Sequence, residues 1–380
     1  ILIAGYAYIR ENYFNTFKFY PEPEMVSFLL PKRWKAKDGK VIFYTPKGQN
    51  VFLSKAFFYH SHHPFIGGLL KGWLPAFPFV LWRLKKKKKI RLVFSPSEPI
   101  LFTTLYQAFW SKFFGLRHVI FTWENIPYED KFKGPNLLFK KIIIKLNLLL
   151  SEGIVCGNRK AEDIFKRLTK KPIAVIPLSG VDEDFFHKVN ADNFLETHGL
   201  KDKLIFSFAG AIGHRKGIHN IIRALKKILP MLPNAHLIIA GSGEYEKEIL
   251  KLITDLELER HITMIPWLNP AGIRELLSAS HVFLYPSMPY GGWEEQFGYS
   301  MAEASLVELP IISTKSGSIE DVVINNRTGI LVWPDDVEEL SQAMILLAKD
   351  ENLRMTMGQA GRRYIIDNFT YKIVVGKFYE

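Results

Sequence analysis

A single cysteine, Cys156, in 380 residues leaves no partner for an intramolecular disulfide and no set of thiolates for a zinc site. A reducing, cytosolic compartment is expected. No apolar run reaches the ~20 residues a membrane-spanning helix needs. The most aromatic stretch, Phe65 to Arg83, is broken by Lys71, three glycines, Pro75 and Pro78. The opening residues Ile1-Leu2-Ile3-Ala4-Gly5 are too short for the apolar core of a signal peptide and read as a first buried strand. Short-period repeats are absent, and the only low-complexity tract is a run of lysines.

The rest of the composition is that of a folded chain, 48% hydrophobic and 14% aromatic. Its length exceeds the roughly 250 to 300 residues at which single cores stop growing, so two domains are expected. Charge separates them. Residues 1 to 190 hold 31 Lys and Arg against 14 Asp and Glu, net +17, which leaves 19 against 24, net −5, for residues 191 to 380. A basic half suits nucleic acid, an anionic membrane surface or an acidic substrate. The densest basic run, Lys85 to Lys89, follows two tryptophans and several phenylalanines. It reads equally as an interfacial segment on anionic lipid or as a solvated lysine loop after a buried helix. Nucleic acid is disfavoured, because no recognition helix, RNP-like sequence or zinc finger accompanies it. A second basic element, Phe139 to Leu150, reads as a helix whose apolar side packs on a core.

Unbroken apolar runs alternate with helical patterns throughout. Val41–Tyr44, Arg91–Phe94, His118–Phe121, Gly153–Cys156 and Ala174–Ile176 are expected as parallel strands buried on both faces. The pattern restarts with 204–208, 236–240, 262–265, 282–285, 310–313 and 329–332. Two Rossmann-like α/β domains in series follow, with the ligand site expected in a cleft between them. The expected boundaries are 1–186 for the first domain, 187–200 for a linker, 201–365 for the second domain, and 366–380 for a closing segment that packs back on the first.

The most informative stretch runs from Tyr285 to Ala304. Gly298 permits close backbone approach, and the amides of Tyr299, Ser300 and Met301 at a new helix start suit a phosphate. Glu295 in the loop and Glu303 one turn into the helix flank that phosphate. Carboxylates accept paired hydrogen bonds from vicinal diols, so the two suit a sugar at one end of a diphosphate and a ribose at the other. A second loop, Ala209-Gly210-Ala211-Ile212-Gly213-His214-Arg215-Lys216-Gly217, ends a strand and presents a lysine to the diphosphate. Gly241-Ser242-Gly243 ends another strand but lacks the last glycine of a dehydrogenase fingerprint. Asp182-Glu183-Asp184 formally matches a D-x-D metal motif and is read as structural, so no metal is expected.

Together, Glu295-x7-Glu303 with Phe297-Gly298, Lys216-Gly217, Gly241-Ser242-Gly243, and Gly317-Ser318-Ile319-Glu320 before Thr328-Gly329 resemble the family 4 retaining glycosyltransferases of GT-B fold. The resemblance is specific from about Leu204 to Thr370. It extends more weakly over Val119 to Phe186, through Trp123-Glu124-Asn125 and Pro177-x2-Gly180-Val181-Asp182. It implies an N-terminal acceptor domain, a C-terminal donor domain, and transfer of a hexose from a nucleotide-diphosphate sugar to a glycan or lipid-linked acceptor. It implies no further cofactor. Glu295 would contact the donor sugar and Lys216 the diphosphate, while Phe297 and Gly298 approach sugar and phosphate. Glu303 would hold the ribose, and the base would lie near Gly243 and Trp267. Three departures stand out. Ala211 replaces an arginine, so Arg215 or His214 would have to supply that contact; Gly5-Tyr6-Ala7-Tyr8 replaces a glycine pair; and Glu124 is the ionisable group nearest a missing histidine, where it orients the acceptor or ties the loop. The competing readings are a GT-B-shaped binding protein and a nucleotide-sugar epimerase. The implied place is the cytoplasm, at the inner face of the membrane if the lysine run binds lipid.

Overall fold

The computed structural model describes residues 1–35, 41–42, 50–58, 68–88 and 90–380. The chain divides into two units, Ile1–Gly180 with Tyr371–Glu380, and Val181–Thr370.

The N-terminal unit is built on a seven-stranded parallel sheet. Its strands are β1 (Leu2–Ala4), β2 (Ser27–Pro31), β5 (Val51–Ser54), β6 (Leu92–Ser95), β7 (Arg117–Thr122), β8 (Gly153–Cys156) and β9 (Ile173–Val175), in the order β5-β2-β1-β6-β7-β8-β9. A separate antiparallel pair joins β3 (Trp34–Lys35) to β4 (Val41–Ile42). Val41 was expected in the parallel sheet and instead lies in this pair; Phe43 and Tyr44 lie outside the described residues. The position at the sheet is taken by β2 and β5, where Pro31 sits at a strand end and so removes no ladder donor from the interior.

The helices of this unit are α1 (Glu11–Thr16), α2 (Phe77–Lys88), α3 (Phe102–Phe113), α4 (Tyr128–Lys131), α5 (Gly134–Leu150) and α6 (Arg159–Leu168). The crossovers β5-α2-β6, β6-α3-β7, β7-α5-β8 and β8-α6-β9 all advance the same way across the sheet. Right-handed connection therefore lays α2, α3, α5 and α6 on one face, and α1, whose crossover runs the other way, on the opposite face. Phe77, Leu81 and Leu84 of α2 join Leu2, Leu29 and Val93 in one core. Ile144 and Leu148 of α5 join Ile120, Ile154 and Phe165 in a second.

The C-terminal unit holds a six-stranded parallel sheet of β10 (Leu204–Ala209), β11 (Ala235–Ala240), β12 (Ile262–Ile265), β13 (Val282–Tyr285), β14 (Ile311–Thr314) and β15 (Gly329–Val332). The order β12-β11-β10-β13-β14-β15 reverses direction between β10 and β13. All neighbours are parallel. The six expected strands are present, each within a residue or so of its expected bounds. The helices are α7 (Asp192–Thr197), α8 (Ile218–Ile228), α9 (Glu246–Asp255), α10 (Pro270–Ala279), α11 (Tyr299–Leu306), α12 (Val337–Lys349) and α13 (Glu351–Phe369). In α8, Ile218, Ile221, Ile222, Leu225 and Ile228 recur at helical spacing and are buried, which is why the segment folds as a helix against the sheet. The stretch 187–200, read as a linker, contains α7 and lies within this unit. Asp182 accepts from the amides of Asp184 (3.2 Å) and Phe185 (3.0 Å) and so fixes a turn.

The last helix, α14 (Tyr371–Tyr379), belongs to the N-terminal unit and contacts α1. Phe378 lies 5.6 Å from the Phe17 ring and 5.3 Å from Phe94 of β6, and Tyr379 lies 5.4 Å from Tyr20. Phe378→Ala should destabilise that unit by about 2 kcal/mol, the scale of a half-buried aromatic truncation. Urea unfolding followed by tryptophan fluorescence measures this, and an unchanged midpoint would show that α14 adds no packing energy.

Candidate functional site

In an open parallel sheet, ligands bind beyond the carboxyl ends of the strands where the strand order reverses. In the C-terminal unit that point lies between β10 and β13. The chain leaving β10 carries Gly210 to Gly217, and the chain leaving β13 carries Pro286 to Gly298. Their side chains meet there. Lys216 is buried, and its Nζ donates to both the Tyr285 hydroxyl and Glu295 Oε2. The Tyr285 hydroxyl donates to the same carboxylate oxygen at 3.0 Å, Arg215 Nη1 lies 3.3 Å from it, and Ser287 Oγ lies 3.4 Å away. Burial alone would push the Glu295 carboxyl up; Lys216, Arg215 and the hydrogen bonds from Lys216 and Tyr285 outweigh it and hold the carboxyl below its ordinary value. Burial lowers the Lys216 ammonium, with Glu295 opposing.

Both residues, expected in loops, are buried and paired with each other, since a charge taken out of water is tolerated where an opposite charge matches it. Arg215 is the more exposed cation.

Glycines hold these loops together. Gly217 has φ +68° and Gly317 φ +56°, and a Cβ there would meet the Pro286 carbonyl at 2.1 Å and the Glu295 carbonyl at 2.2 Å. Ser318 N donates to the Glu295 carbonyl at 2.8 Å, so the segment after β14 supports the Glu295 loop from behind. A Cβ on Gly241 would meet the Gly210 carbonyl, and one on Gly243 the Ile212 carbonyl. Gly243 is thus required by loop-to-loop packing, where sequence reasoning expected it to leave room for a nucleotide. Trp267, past the end of β12, has an exposed ring.

Gly298 caps α11 in the left-handed region at φ +81°. Of the three amides expected at this helix start, that of Met301 is engaged by the Gly298 carbonyl at 2.9 Å. Tyr299 and Ser300 stand in the first turn of the helix. Phe297 is buried and packs on Phe369 at 5.1 Å and on Tyr299 at 4.7 Å. Only its backbone is left to approach a ligand; its ring belongs to the core. Glu303 sits one turn into α11, partly open to solvent, and burial pushes its carboxyl up to about 8. Two carboxyl groups eight residues apart therefore have opposite environments. Nearby, His214 stacks against Tyr290 at 4.3 Å and His219 at 4.8 Å. Burial, with His214 and Arg223 beside it, lowers His219 to about 4. Tyr285, His219 and Tyr290 were missed from sequence because a strand-end tyrosine and a helical histidine carry no spacing signal.

The N-terminal sheet reverses between β1 and β6, and a second polar group lies at that point. Glu98 accepts from the Thr122 hydroxyl at 2.6 Å and the Trp123 amide at 2.8 Å. Burial raises its carboxyl to about 7, against those hydrogen bonds and with Glu124 adding to the rise. Glu124 itself is buried, paired with Lys131 at 2.5 Å, and accepts from the Ile126 amide at 3.2 Å. It ties its loop. Glu98 was passed over in sequence, although its place directly after a strand in Ser95-Pro96-Ser97-Glu98-Pro99 is a usable signal. Lys85 to Lys88 form the last turn of α2, and Lys89 lies outside the described residues.

Comparison with known proteins agrees with this geometry. Residues 191–364 match the family model of glycosyl transferases group 1. The structure of Anabaena HepE in complex with UDP superimposes over 99% of this chain and 97% of its own, with TM-score 0.75 at 16% identity. The fold is GT-B. Among curated relatives, a GDP-mannose-dependent monoacylated α-(1-6)-phosphatidylinositol monomannoside mannosyltransferase of Corynebacterium glutamicum is 31% identical over 162 residues, 42% of either protein. The capsular polysaccharide biosynthesis glycosyltransferase CapM of Staphylococcus aureus is 28% identical over 199 residues, 50% of this chain and 46% of CapM. The matches thus span less than half the length of these relatives.

Because Lys216 and Glu295 neutralise one another below the surface, Lys216→Met leaves a buried carboxylate with Arg215 at 3.3 Å as its cation and hydroxyl donors from Tyr285 and Ser287. A loss of about 3 kcal/mol is expected, with much of it recovered in Lys216→Met/Glu295→Gln. Chemical denaturation of the three proteins measures both steps, and a single variant as stable as the parent would contradict the pairing.

Proposed function

We propose that this GT-B protein transfers a hexosyl group from a nucleoside-diphosphate sugar to a hydroxyl of a glycan or lipid-linked acceptor, with retention at the anomeric carbon. The observation that carries the reading is the meeting of Lys216, Arg215 and Glu295 with the start of α11 at the strand-order reversal of the C-terminal sheet. The relatives support it, since one acts on a lipid-linked mannoside and another in capsular polysaccharide synthesis by their names.

In such a transfer the bond from C1 to the diphosphate oxygen breaks, and a bond from C1 to the acceptor oxygen forms on the same face. The acceptor's proton passes to the departing phosphate oxygen. Negative charge grows on the diphosphate as the bond breaks. Lys216, Arg215 and the first amides of α11 then act more strongly on the transition state than on the bound donor, which lowers the barrier. A diphosphate also competes with Glu295 for both cations. As they turn to phosphate, Glu295 Oε2 becomes an acceptor for sugar hydroxyls. Glu303 takes the ribose diol, and Trp267 lies on the base side. At the reversal point of the N-terminal sheet, Glu98, backed by the Glu124–Lys131 pair, orients the acceptor hydroxyl.

Arg215→Ala, at a half-buried position outside the core, should lower kcat/KM about 100-fold with the fold intact, the scale of one lost charge-stabilising donor. Release of nucleoside diphosphate from a panel of UDP- and GDP-hexoses, with glycan and lipid-linked acceptors, reads this out. If no nucleoside diphosphate raises the thermal midpoint and no donor turns over, the reading fails.

A second expectation concerns pH. Glu303 is neutral below about 8, whereas a ribose diol favours the ionised carboxylate, so donor binding releases a proton. Affinity for the nucleoside diphosphate should rise about threefold to tenfold from pH 6 to pH 8, and Glu303→Gln should flatten that rise. Calorimetry in two buffers of different ionisation enthalpy counts the proton directly. Uptake in place of release would reverse the assigned sign.

A further inference from the structure

In a surface helix, the outward stripe is ordinarily polar. Helix α6 follows that rule, burying Ala161 and Phe165 and presenting Arg159, Lys160, Asp163 and Lys166 outward. Its neighbours in the same layer, α3 and α5, do not. Phe102, Phe109 and Phe113 of α3 recur at seven and four residues and are exposed, Phe113 to 68%. On α5, Leu138, Ile142, Leu146 and Leu149 recur at four, four and three residues, with Leu138 exposed to 63% and Leu149 to 68%. The two stripes touch where the Phe102 and Phe139 rings approach to 6.0 Å. This departs from the expectation that the apolar side of α5 is core-facing. The core takes Ile143, Ile144, Asn147 and Leu148, and the opposite side is apolar as well. On α2, Phe79 and Trp82 are exposed beside the lysine turn, with Lys86 Nζ 4.3 Å over the Trp82 ring.

Charge identifies what covers this face. Helices α2, α3 and α5 together carry nine Lys and Arg and no Asp or Glu. A second copy would bring an equally cationic, acid-free face against it, and like charges would oppose the contact. An anionic bilayer meets both demands at once. Aromatic and aliphatic side chains enter the boundary between headgroups and acyl chains, and lysine stems run along them to place ammonium groups among the phosphates. Among the described residues no helix is long and apolar enough to cross a membrane, so the contact is with the surface.

We propose that the outer face of α3 and α5, with the basic end of α2, is a docking surface for anionic lipid bilayers. The inference goes beyond the glycosyl-transfer reading and does not depend on it. The test is co-sedimentation of the full chain with phosphatidylcholine vesicles and with the same vesicles containing one-third phosphatidylglycerol. Partitioning should be about tenfold stronger on the anionic vesicles and should weaken in high salt. Phe113→Glu/Leu149→Glu should lose about tenfold on those vesicles. Lys140→Gln/Lys141→Gln/Lys145→Gln, which keeps the apolar stripe, should lose the preference for anionic lipid and keep the thermal midpoint. Equal partitioning on the two vesicle types, or undiminished binding by either variant, overturns the proposal. So does light scattering that finds a dimer which Phe113→Glu/Leu149→Glu converts to monomer, since a second copy then covers the face. Because the donor site lies in the other unit, nucleoside diphosphate binding by both variants should match the parent, which separates failure here from failure of the transfer reading.

Discussion

A charged pair withdrawn from water at the end of β10 and β13 is the constraint on which the loops of the C-terminal unit depend. Taking an ammonium and a carboxylate out of solvent costs several kcal/mol each, and their attraction repays this only in good geometry with the remaining hydrogen bonds made. Lys216 and Glu295 meet that condition through Tyr285, Ser287 and Arg215. The geometry in turn fixes three loops. Gly217 must lie against the Pro286 carbonyl for Lys216 to point inward, and Gly317 must lie against the Glu295 carbonyl for the acid to reach it. The positions of these glycines follow from the ion pair as much as from any ligand.

Differences in burial and neighbouring charge explain why three glutamates, Glu295 in a loop, Glu303 in α11 and Glu98 after β6, behave differently. Glu295 faces two cations and stays ionised, whereas Glu303 has desolvation and no cation near it and holds its proton to about 8. Glu98 stands between, near 7, because two hydrogen bonds and Lys131 offset part of the burial that Glu124 reinforces. Glu295 and Glu303 thus divide into an ion-paired carboxylate and a desolvated one that keeps its proton. Spacing alone, eight residues along the chain, says nothing about that division.

What the sequence made legible was what repeats along it. Strands β10 to β15 are predominantly apolar runs separated by helical periods, and they were readable to within a residue or so because buried parallel strands carry few polar residues, here Ser207, His236, Thr263, Ser313 and Thr314. The Gly298 cap was readable for a similar reason, since a glycine ahead of a helical period has few other uses. The failures were of contact. Strands β2 and β5 are short, and the first ends on a proline, so they resemble loops. The depth of Lys216 was hidden because its partner lies 79 residues away, and the packing of Gly243 on Ile212 was hidden in the same way. Helix α5 misled in the other direction. A helix apolar on both sides is ordinarily core, and only its place in an outer helical layer, with the sheet on one side of it, leaves half of it uncovered.

That uncovered half bears on how the charge is distributed. A net +17 over residues 1 to 190 is costly in self-repulsion, and it would be cheapest if acids were interspersed among the bases. In α2, α3 and α5 they are not; every charged residue is basic, and the apolar stripes lie among them. Random drift in composition would scatter acids over the helices of both faces, as α6 retains Glu162 and Asp163 while packing on the same sheet. Helices α2, α3 and α5 combine the absence of acids with exposed aromatic and aliphatic side chains, which couples the two properties at one surface. Solubility alone would remove the apolar residues, and nucleotide binding would place the bases at strand ends, so neither accounts for the coupling. A surface that is at once hydrocarbon and phosphate does.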